Sequence, residues 1–127
     1  TEREAWIDQR VATEQIWASP DHWTEAGSRA KSALMFDYGV QPRRTVHQFK
    51  AMVKSPRRED ALREVHVPTL VMHGTADTLI TPPGGVRTAE IMPNATFVAL
   101  EGMGHDLPEF YWPIIAGHVG DLAGSID

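Results

Sequence analysis

"VPTLVMHGTADTLITP", residues 67 to 82, runs from a short apolar stretch, Leu70 to Met72, into a glycine and then an acid-bearing loop. "ATFVALEGMGHDLP", residues 95 to 108, repeats the plan: continuous apolar residues from Phe97 to Leu100, glycines on either side of Met103, then His105. Apolar runs without polar alternation are the pattern of strands buried on both faces, as in a parallel sheet covered by helices. Between them, "PPGGVRTAEIM" can start a helix at Pro82 or Pro83 and supplies the crossover of roughly a dozen residues that a parallel pair needs, with a right-handed turn expected. "PEFYWPIIAGHVGDLAGS" then reads as a closing helical segment, kinked or restarted at Pro113. Strand, helix, strand, helix makes the fold class α/β.

Upstream of this region the pattern changes. Residues 1 to 54 are rich in Glu, Arg, Ala, Gln, Trp and Met, with Ala5, Ile7, Val11, Ala12, Gln15 and Ile16 at helical spacing. Breaks fall at "ASPD", where Ser19 or Asp21 can cap the next helix, and at "DYGVQP", where Gly39 can end one helix and Pro42 begin another. A third helix is expected from about Pro42 to Val53, and "RREDALREV" gives a short acidic and basic one. The expected division is a helical segment over residues 1–54 and a βαβα segment over residues 55–127.

At 127 residues and 42% hydrophobic content, the length is that of one ordinary domain, and the net charge of -5 comes from scattered charges with no basic block longer than Arg43-Arg44 or Arg57-Arg58. Neither nucleic acid nor an anionic membrane is implied as a partner. The absence of cysteine rules out disulfides and thiolate zinc sites, and it fits a cytoplasmic location. "TEREAWIDQR" has no apolar core of a signal peptide, and no run reaches the roughly 20 apolar residues of a membrane span. A chain that opens on Thr1 is expected to have lost its natural start.

Loops leaving the carboxyl ends of parallel strands collect at one edge of the sheet. Asp77 and His105 each sit just beyond such an end, so they are expected to be neighbours. A carboxylate beside an imidazole fixes its tautomer and stabilises the imidazolium formed when the second nitrogen takes a proton. A surface histidine next to an ordinary loop turn is the bland alternative. The glycines around Met103 would let the chain turn sharply enough to aim His105 back at the acid loop.

These residues carry a family resemblance. "VPTLVMHGTADTLITP", a helix, "ATFVALEGMGHDLP" and a closing helix resemble the carboxyl-terminal part of the α/β-hydrolase fold, close to methylesterase and lipase-like members. "ALMFDYGVQPRRTVHQFKAMVKSPRREDALREVHVPTL" is similar to that family's helical cap and the helix leading into the penultimate strand. The resemblance implies that Asp77 is the acid and His105 the general base of a Ser-Asp-His triad, that His73 is structural, and that no cofactor takes part. It also implies a nucleophile on a G-x-S-x-G elbow before Asp77.

No such elbow is present. Ser19, Ser28, Ser32, Ser55 and Ser125 lack the motif's glycines two residues to either side and a preceding strand. The expectation is therefore a carboxyl-terminal fragment of an esterase-like serine hydrolase whose substrate is a small-molecule ester, with the isolated chain inactive. The competing expectation is a non-catalytic interaction module. Two strands alone would leave both sheet edges unpaired, so a homo-oligomer, or pairing with a missing amino-terminal half, is expected.

The remaining candidates are weaker. His22, His47, His66 and His118 read as solvent-facing or satisfied, and no helix shows the spacing of a metal site. Gly84-Gly85 lacks the Lys and Ser or Thr of a P-loop and reads as a helix start. Trp6, Trp17, Trp23, Met35, Phe36 and Tyr38 could line an acyl pocket but read as core. Asp106, adjacent to His105, is expected to point elsewhere.

Overall fold

A computed structural model describes residues 1–39 and 42–126. It divides into two units, the first comprising residues 1–16 and 24–57, the second residues 17–23 and 58–127.

In the first unit, helices α1 (Glu2–Glu14) and α2 (Glu25–Asp37) pack together. Ile7 and Val11 of the expected apolar stripe are buried, as are Glu14 and, from α2, the small residues Ser28 and Ser32. Glu14 is compensated inside this seam by the Ser28 hydroxyl and the Lys31 ammonium. Small side chains on one helix let the other approach at the serines, while Trp6 of α1 and Phe36 of α2 pack against each other with ring centroids 5.6 Å apart. Trp6, Trp17, Trp23, Met35 and Phe36 are only half-buried, and Tyr38 stands 87% exposed, which corrects its reading as core. Ile16 is 75% exposed because α1 has already ended.

The cap of α2 is also not the expected one. Thr24 accepts a hydrogen bond from the Gly27 N–H at 3.1 Å, the usual service of an N-cap threonine. Ser19 and Asp21 lie too early, because the chain first makes a turn in which His22 and Trp23 donate to the Ser19 carbonyl. Gly39, at φ +77, ends α2 as read. The residues 40–41 of the "DYGVQP" break lie outside the described ones. Helix α3 (Pro42–Lys54) follows.

The second unit holds α4 (Glu59–Arg63), β1 (Thr69–Gly74), α5 (Pro82–Ile91), β2 (Ala95–Leu100), a short 3-10 turn (Glu109–Tyr111) and α6 (Trp112–Gly124). β1 and β2 pair in parallel, in register from Thr69 opposite Ala95 to Gly74 opposite Leu100. Helix α5 packs on both strands, α6 on β1, and α4 on α5, where Arg87 meets Glu59 at 2.9 Å. Pro113 falls in the first turn of α6, so the closing segment restarts there instead of kinking. The strands are half-buried, with Gly74 and Leu100 the buried positions. They were expected to be covered on both faces, but a sheet of two strands among the described residues has no inner strand to cover. No described helix is long and apolar enough to cross a membrane.

Candidate active site

Parallel pairing with matched ends brings the two exit loops to the same edge, since Gly74 and Leu100 are register partners. Asp77 lies three residues past β1 and His105 five past β2. Their side chains meet: His105 Nδ1 lies 2.8 Å from Asp77 Oδ2. A carboxylate only accepts, so the imidazole carries a proton on Nδ1, and its neutral form has the lone pair on Nε2. The His105 side chain is 40% exposed, whereas that of Asp77 is 7% exposed. One end of the pair is anchored and the other is open.

Asp77 is held as an anion. Its Oδ1 accepts the backbone N–H groups of Leu79 and Ile80, both at 2.9 Å, an Asx-type turn closed on the acid's own loop. Burial pushes the carboxyl upward, but the hydrogen bonds from His105, Ile80 and Leu79 outweigh it and leave its pKa below the ordinary aspartate value. His73 stands alongside with Nε2 at 2.7 Å from the Ile80 carbonyl and 3.5 Å from Asp77 Oδ2. That carbonyl requires a donor, so His73 has Nε2–H and braces the acid loop.

The His105 loop is held from its other side by residues 17–19. The His105 N–H donates to the Trp17 carbonyl at 2.7 Å, and the two rings meet edge to face at 5.7 Å. Asp106 turns away from Asp77, as expected, and its Oδ1 accepts both the Ser19 N–H at 2.9 Å and the Ser19 hydroxyl at 2.5 Å. The same hydroxyl accepts the Gly104 N–H at 2.9 Å. Gly104 touches this segment backbone to backbone: a Cβ there would lie 2.4 Å from the Trp17 carbonyl oxygen and 2.6 Å from the Ser19 nitrogen. Gly102, at φ +73, supplies the sharp turn before it.

Ser19 is fully buried with its hydroxyl engaged twice, which leaves it no geometry for attack on a substrate. Of the other serines, Ser28 and Ser32 are buried in the seam between α1 and α2. Ser55 donates to the Ala51 carbonyl and Ser125 to the Leu122 carbonyl, so none of the described hydrogen bonds runs from a serine hydroxyl to His105 Nε2. A cavity of about 270 Å³ opens at this edge, lined by Met72, Ile80 and Met103 together with His73, Asp77 and His105. Among the described residues no cluster of three His, Cys, Asp or Glu could hold a metal ion.

Two features escaped the sequence. The Leu79 and Ile80 amides could have been found, because an aspartate opening a loop commonly bonds the N–H groups two and three residues on. The Ser19–Asp106 link joins positions far apart in the chain and has no local signal.

No family model matches the chain. Among solved structures it is similar to one described as "Est816 as an N-Acyl homoserine lactone degrading enzyme", with a TM-score of 0.59 and 20% sequence identity, over 96% of this chain and 48% of that one. At that identity the likeness concerns the fold. The chain spans about half the length of this neighbour.

Proposed function

We propose that this chain is the carboxyl-terminal part of a serine hydrolase acting on carboxylic esters, with His105 as general base and Asp77 as its orienting acid. The observation that carries the reading is the 2.8 Å contact from His105 Nδ1 to a buried Asp77 whose other oxygen is already occupied by two amides. Such an acid holds the ring in the tautomer that can accept a proton at Nε2, and its charge stabilises the imidazolium that results. The nucleophile is supplied from outside residues 1–127, as is the oxyanion hole. The compound named for the structural neighbour, an N-acyl homoserine lactone, contains a cyclic ester, a bond of the class proposed here.

Incubation with a short-chain nitrophenyl ester tests this. The chain alone should release no nitrophenol. Joined to a segment that carries a G-x-S-x-G elbow, it should turn over, and His105→Ala should cut that turnover by at least about 100-fold. Turnover by the chain alone that His105→Ala abolishes would defeat the missing-nucleophile reading.

One observation favours a second, non-catalytic reading. The outer edges of β1 and β2 are unpaired among the described residues, and the same unit exposes apolar side chains such as Leu79, Trp112 and Ile114. Open edges of this kind recruit further strands. On this reading the chain assembles with itself, and sedimentation at micromolar concentration should show a dimer or larger species, where a stable monomer would contradict it.

A further inference from the structure

The hydroxyl of Ser19 and the carboxylate of Asp106 have no part in the chemistry proposed above, yet Ser19 is fully buried and its hydroxyl both donates and accepts. We infer that Ser19 and Asp106 are positioning residues that hold His105 Nδ1 on Asp77. The inference rests on the reading of His105 as a base for its catalytic meaning, but its geometry stands on contacts alone.

His105 is 40% exposed and follows two glycines, so without restraint its loop has many conformations to lose when the ring is held. Asp77 restrains only the ring. The backbone on either side is restrained by residues 17–19: the Gly104 N–H is fixed by the Ser19 hydroxyl, the His105 N–H by the Trp17 carbonyl, and the Asp106 side chain by the Ser19 N–H and hydroxyl. Three consecutive residues, 104 to 106, are thus tied to one short segment. The bond from the Ser19 hydroxyl to Asp106 orients the hydroxyl, which turns its lone pair to the Gly104 amide. Loss of the Asp106 acceptor frees the hydroxyl to rotate and releases both ends of the tie. A buried N–H left without its acceptor keeps the full cost of its desolvation, which drives the loop to another conformation. The specific consequence is at the ring: His105 should lose its hold on Asp77 and, with it, the fixed Nδ1–H tautomer.

Ring ¹⁵N–¹H spectroscopy of His105 near neutral pH reads this without substrate or nucleophile. The native chain should show an Nδ1–H proton far downfield, assigned by its absence in His105→Gln and Asp77→Ala. Asp106→Ala should lose that resonance, while Asp106→Asn, whose Oδ1 can still accept both bonds, should keep it. Ser19→Ala, which retains the backbone bond to Asp106, is the milder second variant and should lose it too, with circular dichroism confirming that each variant is folded. A resonance undiminished in folded Asp106→Ala or Ser19→Ala overturns the inference, as does equal loss in Asp106→Asn and Asp106→Ala. Absence of the resonance from the native chain would instead take down the reading of the Asp77–His105 pair, and this inference with it.

Discussion

A carboxylate with three hydrogen bonds, two of them from backbone amides, is a group whose protonation the fold resists, and Asp77 is such a group. Its folded pKa lies below the ordinary value of about 3.9, so the unfolded chain binds the proton more readily. Its contribution to stability is then fully present above about pH 4 and is lost as the pH falls from there toward the folded value. Asp77→Asn should lower stability at neutral pH and flatten its fall below about pH 4, measured by urea denaturation across that range; an unchanged acid limb would mean that Asp77 is not held as described. Both members of the pair were legible in the sequence, because parallel strands force their exit loops together. Asp106 was expected to point elsewhere and bonds Ser19, a partner that was not legible: Ser19 offered only a cap-like residue before a proline, and tertiary contact decided its use.

Element existence was read well and element surroundings less well. The apolar run "TLVMHG" is β1 residue for residue and "ATFVALEG" overruns β2 by two residues, while prolines and glycines placed the end of α2, the start of α5 and the restart of α6 within a residue or two; the start of α2 was read several residues too early. Burial was over-read, since a continuous apolar run reports what a strand can bury, and how much it does bury depends on its neighbours. The turn between β2 and α6 shows where a single atom matters at this scale. Gly104→Ala would place a methyl group 2.4 Å from the Trp17 carbonyl oxygen and from the Ala18 carbonyl carbon, backbone atoms that cannot rotate away. We expect it to destabilise the second unit by about 1–3 kcal/mol, measured by thermal or denaturant unfolding. A Gly117→Ala control, where no atom lies within 4 Å of the added group, should be neutral or stabilising, since alanine is the better helix former. Equal effects at the two positions would contradict the close approach.

For the molecule as a whole, the second unit carries Asp77 and His105, and the solved neighbour this chain resembles is about twice as long. The proposal that the nucleophile comes from outside residues 1–127 follows from the Asp77–His105 contact and from serines that are buried or, among the described hydrogen bonds, bonded away from it. Composition gave no hint of this; only the missing G-x-S-x-G did, and the burial of Ser19, Ser28 and Ser32 supports it. The most direct measurement is active-site labelling with a fluorophosphonate, followed by mapping of the modified residue, on this chain alone and on the chain joined to a segment bearing the elbow serine. The account predicts no label on residues 1–127 in either case, and label on the elbow serine that is lost with His105→Ala. Label on any serine within residues 1–127, or labelling of the elbow serine that is indifferent to His105, would contradict it.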